Sequence, residues 1–142
     1  MNSQYAVAVH ILSMISTFPD QSSSSDIADS VGTNPVVIRN VTGQLRRAGL
    51  LSTQRGVAGA SLTRPPAQIT LLDVYRAVNG EASVFRLHEH PHPQCPVGAN
   101  IQATLERRFG QAQTAMEQEL ARATLADVMS DLALQDLAAR AG

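Results

Sequence analysis

Several residue types are scarce or absent in this chain of 142 residues, which has one cysteine, no tryptophan and no lysine. A single cysteine excludes an intramolecular disulfide and an all-cysteine metal site within one chain, so any thiol chemistry rests on Cys95. No apolar run approaches the roughly 18 residues of a membrane span, and the N-terminus lacks a signal-peptide pattern. We therefore expect a cytoplasmic protein with one compact core.

The positive charge is concentrated in one segment and is carried by arginine alone. The whole chain has a net charge of -1, which by itself argues against binding to DNA phosphates. Residues 30–72, however, contain five arginines and no acid, whereas residues 81–142 contain eight acids and five arginines. Because guanidinium groups bridge paired acceptors on guanine or phosphate, residues 30–72 are the candidate DNA-binding segment. A compositional bias towards arginine is the alternative explanation.

Capping signals and apolar spacing predict three helices in the first part of the chain. The first covers 4–16, and Ser23 with Asp26 forms a capping pair that opens the second. Asn34 caps the third, over 35–48, whose first position is a proline. Its core face is predicted by apolar residues at spacings of three and four. The outward face and the ends of this helix are predicted to contact DNA through Asn34, Val36, Arg39, Asn40, Gly43, Arg46 and Arg47.

A small hairpin is predicted after the third helix. Residues 50–53 and 60–63 have the pattern of two short strands, joined by a glycine-containing turn that carries Arg55. Two helices joined by a tight turn and followed by such a hairpin form a winged helix-turn-helix. The predicted fold class is therefore mostly α with a small β-hairpin wing.

The second half of the chain is predicted to be helical after a loop. A fourth helix over 70–80 is followed by a loop rich in histidine and proline. An apolar stripe then predicts a helix over 96–121, roughly 40 Å long, and Thr124 opens a last helix. Such a stripe needs a partner, either a second copy of the chain or, alternatively, the last helix folded back on it. We divide the chain into a winged DNA-binding domain, 1–80, and a sensor loop with a helical dimerisation region, 81–142.

Three runs of sequence resemble the Rrf-type (Rrf two) family of bacterial winged-helix regulators, and the resemblance covers nearly the whole chain. These runs are LRRAGLLSTQRG, SLTRPPAQITLLDVYRAV and CPVGANIQATLERRF. The resemblance implies a homodimer on palindromic operator DNA, with Arg55 entering a minor groove. A phosphate contact or a solvated charge is the alternative for Arg55.

Two departures from the family pattern limit what the resemblance implies. Cluster-binding members have three closely placed cysteines before the long helix, whereas this chain has only Cys95, so we expect no iron-sulfur cluster and no other cofactor. The wing has Ala58-Gly59-Ala60-Ser61 where many relatives have Gly-Gly-Tyr. The conformation of the wing tip is therefore not carried over.

Cys95 is the candidate sensor residue. It precedes Pro96, and a thiol that caps a helix there has a lowered pKa because amide groups and the helix dipole favour the thiolate. A buried, inert cysteine is the alternative. His88, His90 and His92 lie close by in sequence and have ligand types suited to zinc or copper, but they fit ordinary polar loop residues better, so no metal site is assigned.

The sequence therefore predicts a transcriptional regulator, as a repressor or an activator, that binds operator DNA as a homodimer and responds to redox or thiol chemistry through Cys95. The alternative is a dimeric winged-helix module for protein interaction or metal holding without DNA binding. An enzyme is not predicted, because no nucleophile with its base, phosphate loop or carboxylate pair is present.

Overall fold

The computed structural model describes residues 3–141, which form six α-helices and one two-stranded antiparallel sheet. Short 3₁₀ turns at Pro19–Gln21 and Pro66–Gln68 join some of these elements. The elements in chain order are α1 (Gln4–Thr17), α2 (Ser24–Val31), α3 (Pro35–Arg47), β1 (Leu51–Ser52), β2 (Ser61–Leu62), α4 (Leu71–Asn79), α5 (Ile101–Arg122) and α6 (Leu125–Ala141). The predicted fold class, mostly helical with a small hairpin wing, is confirmed.

The start of each helix in the helix-turn-helix is fixed by its own side chains. The Ser23 hydroxyl accepts the N–H of Asp26 at 3.0 Å, and the Asp26 carboxylate accepts the N–H of Ser23 at 3.3 Å, so the predicted capping pair is present. Asn34 Oδ1 accepts the N–H of Val37 at 3.2 Å and caps α3. Gly32 ends α2 at φ +84°, a left-handed conformation that costs glycine little, and turns the chain sharply into α3.

The wing is a shorter hairpin than the sequence predicts. Its ladder pairs Leu51 with Leu62 and Ser52 with Ser61, and only these residues have strand geometry. The base is tied to the end of α3 because the Thr63 hydroxyl donates to the Gly49 carbonyl at 2.6 Å. Residues 53–59 project beyond the ladder and are exposed. Glycines with positive φ shape this tip in place of a longer ladder.

One hydrophobic core lies between α1, α2, α3, α4 and the base of the wing. Its fully buried members include Ile11 and Leu12 of α1, Leu45 of α3 and Val74 of α4. Leu125, from the start of α6, is also fully buried in this cluster. The C-terminal region therefore contributes a side chain to the core of the first 80 residues, and the division at residue 80 stays a prediction.

The α5–α6 corner is joined to the start of α4 by the backbone. The N–H of Leu71 donates to the Ala123 carbonyl at 2.9 Å, and the N–H of Leu125 donates to the Ile69 carbonyl at 2.8 Å. These bonds hold Leu125 over the core. None of the helices between residues 3 and 141 is both long and apolar enough to cross a membrane.

The long helix begins later than predicted. It starts at Ile101 and not at residue 96, because residues 96–100 form a series of turns in which the N–H of Ala99 donates to the Cys95 carbonyl at 2.8 Å. The turns lead directly into α5, since the N–H of Ile101 donates to the Val97 carbonyl at 2.8 Å. The predicted start was therefore wrong by about one and a half turns.

Candidate nucleic-acid interface

The outward face of α3 carries most of the predicted DNA-contacting residues. Its core face is Ile38, Val41 and Leu45, which are all buried, as predicted. Because an α-helix turns about 100° per residue, the positions between these three point away from the core. The exposed residues of the predicted set in and around α3 are Asn34, Val36, Arg39, Asn40, Arg46 and Arg47.

Gly43 differs from the rest of the predicted set because it is buried. It lies on the outward face, but the guanidinium of Arg47, one turn later, folds back over it, so that a Cβ at Gly43 would lie 3.4 Å from Arg47 Nη1. Its expected exposure was therefore wrong. Arg47 covers the point where the helix backbone would otherwise approach a ligand most closely.

Arg39 and Arg46 are brought together in a groove between α3, the start of α2 and the base of the wing. The groove has a volume of about 460 Å³, and Thr42 and Thr53 also line it. Its wall at the start of α2 includes Ser23 and Ser24, and the Asp26 carboxylate of the capping pair already occupies the positive end of this helix. These hydroxyl residues lie outside the predicted DNA-contacting set, although the capping pair at Ser23 is a sequence signal that marks the start of α2.

Arg55 is at the exposed tip of the wing and does not line that groove. The turn that carries it is closed by a hydrogen bond from the N–H of Val57 to the Gln54 carbonyl at 3.1 Å. Gly56 and Gly59 have φ of +80° and +86°, so this turn depends on glycine at both positions. The side chain of Val57, two residues after Arg55, is 60% exposed and makes the tip partly apolar.

Arg64, the fifth arginine of the basic segment, makes its contacts within the same chain. Its Nη2 donates to Asp73 Oδ2 at 3.0 Å and its Nε donates to the Gln68 carbonyl at 2.9 Å. Burial raises the pKa of Asp73, but hydrogen bonds from Thr70 and Arg64 outweigh burial and hold this pKa below its usual value. The free positive charge of the segment is therefore smaller than the count of five arginines suggests.

Cys95 is exposed and lies at the start of the turns that precede α5. The backbone N–H groups of Gly98 and Val97 donate to its sulfur and lower the pKa of the thiol. Although α5 starts later than predicted, the thiol still receives N–H groups from a helix-like turn. A Cβ on Gly98 would collide with the His92 carbonyl oxygen, so the close packing of this loop requires glycine there.

The histidines do not form a metal site in the described residues. His92 Nδ1 accepts the N–H of Gln94 at 3.1 Å, and exposed His90 lies 3.8 Å from Glu89. Between residues 3 and 141, no three side chains of His, Cys, Asp or Glu lie close enough together to hold a metal ion. His10 is half-buried, and its Nε2 lies 2.8 Å from the Ser30 hydroxyl.

The apolar stripe of α5 is covered only in part. Leu105, Phe109, Met116 and Leu120 are half-buried, whereas Ala112, in the middle of the stripe, is exposed. Three leucines of α6 are more than half exposed, namely Leu132, Leu134 and Leu137. The fold of one protomer thus leaves apolar surface on both C-terminal helices.

The two-helix turn, the hairpin and the arginine-lined groove define the class of this protein, which is a winged helix-turn-helix DNA-binding protein. The model of the Rrf2 family, described as an iron-dependent transcriptional regulator, matches residues 1–131. The chain therefore belongs to the Rrf2 family, the Rrf-type family that its sequence resembles. Its predicted status as a transcriptional regulator and not an enzyme is confirmed.

Individual relatives agree with this assignment. YwnA of Bacillus subtilis (strain 168), named as an HTH-type transcriptional regulator, is 52% identical over 132 residues, which are 93% of this chain and 98% of YwnA. A crystal structure of a protein named as DNA-binding is 48% identical with a TM-score of 0.74, over 89% of this chain and 99% of that chain. A structure named as a transcriptional regulator from Lactobacillus plantarum is 29% identical with a TM-score of 0.75, over 93% and 91%.

The iron in the family description does not fit the residues of this chain. A cluster held by three cysteines needs thiolates that the chain lacks, since Cys95 is its one cysteine. The described residues also gather no other set of three ligating side chains. The residues present therefore do not provide the ligands of an iron-sulfur cluster.

Proposed function

We propose that the protein acts as a homodimer on palindromic operator DNA, with α3 of each protomer in a major groove and each wing tip at the flanking minor groove. The observation that carries this proposal is the groove in which Arg39 and Arg46 lie beside the start of α2, with Arg55 exposed on the wing. In a two-fold dimer the α3 helices would meet successive major grooves roughly 34 Å apart. Such binding places the protein in the cytoplasm with the chromosome.

The uncovered C-terminal helices support the dimer. A stripe with an exposed alanine at its centre allows two α5 helices to approach closely, and the exposed leucines of α6 extend the apolar surface. The acidic charge of residues 81–142 keeps this region away from DNA and leaves the basic groove to meet the phosphates. In the proposed dimer, residues 81–142 thus pair the two copies, and the winged half contacts DNA.

The DNA contact is tested with Arg55→Ala on a fragment selected from random-sequence DNA by the wild-type protein. Loss of one cation from each wing weakens binding and makes the plot of log affinity against log salt shallower by about 2 for the dimer. Fluorescence anisotropy at several salt concentrations measures both quantities.

The matched control is Arg122→Ala, which removes the same charge from an exposed position near the end of α5. It is expected to leave the affinity and the salt slope unchanged. An unchanged slope for Arg55→Ala contradicts the wing contact, and a wild-type protein that selects no DNA supports a protein-interaction module.

We also propose that Cys95 makes DNA binding responsive to electrophiles. The thiol is exposed and its pKa is lowered by the N–H groups of Gly98 and Val97, so a larger fraction of it is thiolate at neutral pH than for an ordinary cysteine. Its sulfur is oxidised by peroxide to a sulfenic acid with release of hydroxide, or it adds to the carbonyl carbon of an aldehyde. Either product disturbs the turn that leads into α5.

The test compares wild type and Cys95→Ser with and without peroxide or a thiol-reactive aldehyde. Wild-type DNA affinity is expected to change on treatment while that of Cys95→Ser does not. An equal change in both proteins eliminates Cys95 as the sensor.

A further inference from the structure

A cleft of about 760 Å³ lies between the start of α1, the end of α4 and the loop that follows α4. None of its lining residues belongs to the predicted DNA-contacting set. Its size is typical of sites for small organic molecules. The residues that carry the argument are Tyr5, Tyr75, Val78, Asn79 and Arg86.

The aromatic part of the cleft is formed by two tyrosines in contact. The rings of Tyr5 and Tyr75 lie edge to face, with centroids 5.4 Å apart and planes at 67°. The Tyr5 hydroxyl donates to the Leu71 carbonyl at 2.6 Å, and burial together with Tyr75 raises the pKa of Tyr5 to about 12. The Tyr5 side chain is therefore uncharged at neutral pH and is held in position as one wall of the cleft.

Tyr75 supplies a hydroxyl group that is not engaged in a hydrogen bond within the described residues. It is only 5% exposed, yet its hydroxyl has no hydrogen-bond partner among residues 3–141. Among the described residues, the side-chain polar atoms that are both fully enclosed and unpaired do not include the Tyr75 hydroxyl. This hydroxyl is therefore accessible from outside the protein. Because Tyr75 lines the cleft, its hydroxyl is available to a bound molecule.

The charge in the cleft is of one sign. Arg86 is the one charged side chain among the described residues that line it, and it makes no ion pair within the described part of the chain. The side-chain amide of Asn79 adds a further hydrogen-bonding group. An exposed guanidinium beside aromatic rings fits a carboxylate carried on a flat apolar body.

We propose that this cleft binds a small aromatic carboxylate, with its ring against Tyr5 and Tyr75, its carboxylate on Arg86 and a hydrogen bond to the Tyr75 hydroxyl. This site goes beyond DNA binding and does not depend on it.

The wall that carries Arg86 is held in place by α5. The N–H of Val84 donates to Gln113 Oε1 at 3.1 Å, and Phe85 stacks on Phe109 with ring centroids 5.1 Å apart. The loop is therefore attached to α5 on one side of the cleft, while α1 and α4 form the other. A molecule bound between them bridges the winged core and the long helix, and a largely pre-formed wall reduces the ordering cost of binding.

The experiment titrates full-length protein, without DNA, with benzoate and with its neutral counterpart benzamide. Calorimetry gives the affinities, and tyrosine fluorescence corrected for ligand absorbance reports the location, because the chain has two tyrosines, both in the cleft, and no tryptophan. Benzoate is expected to bind with a dissociation constant on the order of 1 mM or tighter. Benzamide is expected to bind about tenfold more weakly because it lacks the charge.

Two variants locate the binding groups. Arg86→Gln is expected to remove the preference for benzoate over benzamide, and Tyr75→Phe is expected to weaken both ligands severalfold. Arg107→Gln, an exposed arginine of α5 outside the cleft, is the matched control and is expected to behave as wild type. No saturable signal with benzoate in the millimolar range, equal binding of the two ligands, or unchanged binding by Arg86→Gln overturns the proposal.

Discussion

The winged unit, 4–80, and the two C-terminal helices, 101–141, differ in how they bury their apolar side chains. Apart from Leu125, all the buried apolar side chains in the common core come from the winged unit, and Met129 of α6 packs against this core while partly buried. In the C-terminal helices Leu125 is fully buried, whereas Leu134 is 65% exposed and α5 has no buried residue. The winged unit thus buries most of its large apolar side chains within one chain, although Phe18, Val36 and Val57 are more than half exposed. The C-terminal helices leave apolar side chains exposed to solvent in a single chain.

This difference matches the division of labour proposed for the molecule. Side chains that contact DNA need a rigid base, and α3 has one because its inner face is fully packed. The C-terminal helices need the opposite property, an apolar face left open for a second protomer. Leu125 is the exception, since it belongs to the second region by sequence and to the first by packing.

The largest effect on the free energy of unfolding is expected where the winged unit and the C-terminal helices meet. Leu125→Ala removes a fully buried side chain from the common core and should lower the free energy of unfolding by about 2–5 kcal/mol. Urea denaturation at one fixed protomer concentration measures this loss.

Leu134→Ala makes the same chemical change at an exposed position of α6 and should cost less than about 1 kcal/mol at concentrations where the chain is monomeric. Equal losses in the two variants contradict the distinction between a packed and an open region. A loss by Leu134→Ala that depends on protein concentration instead supports a partner on α6.

The starts of α2 and α3 and the core face of α3 could be predicted because their causes are local. A capping pair such as Ser23 with Asp26 acts over three residues, and the spacing of Ile38, Val41 and Leu45 fixes a helix face without any other part of the chain. These features follow from the sequence alone, and the structure confirms them.

Contacts between distant residues could not be predicted in this way. The pairing of Arg64 with Asp73, the shielding of Gly43 by Arg47 and the insertion of Leu125 each depend on how side chains or elements pack in three dimensions. The predicted DNA-contacting residues of α3 lie on its outward face and, apart from Gly43, are exposed, but the prediction overestimated the exposure of Gly43 and the free positive charge of residues 30–72. The late start of α5 has the same origin, since the turns after Cys95 depend on contact with His92.

The open face of α5 is tested next by Ala112→Glu. Ala112 is exposed in the protomer, so the substitution leaves the protomer fold intact but places a charge at the centre of the apolar stripe. We expect the dimer dissociation constant to rise by at least about tenfold, because the charge must be desolvated at the interface. Sedimentation velocity over a range of concentrations measures it.

Ala103→Glu is the matched control because Ala103 is also exposed, on the face of α5 away from the stripe. It should sediment as wild type does. Equal dissociation by both variants, or by neither, contradicts pairing through this stripe.

A smaller effect, a severalfold change in the rate of Cys95 alkylation, is expected for the loop between the two regions. Gly98→Ala places a Cβ against the His92 carbonyl and should displace the N–H groups that lower the pKa of Cys95. Less thiolate is then present at neutral pH, so alkylation by iodoacetamide should slow and its pH midpoint should rise. Gly110→Ala, where a Cβ meets open space, should leave the rate unchanged. Equal rates in all three proteins contradict the role of these N–H groups.

The smallest effect on stability is expected at the contact between Arg64, which follows the wing, and Asp73 of α4. The pKa of Asp73 is lowered in the folded protein, so its contribution to stability is fully present above the unfolded pKa and is lost as the pH falls through the folded pKa. Asp73→Asn should therefore be less stable than wild type at neutral pH, and the difference should shrink as the pH falls below the unfolded pKa of Asp73 and through its lower folded pKa. Asp29→Asn removes the same charge from an exposed position on α2 and should show no such convergence. If the difference between Asp73→Asn and wild type is constant with pH, the carboxylate contacts with Thr70 and Arg64 do not stabilise the folded protein, and the winged unit depends on its apolar core alone.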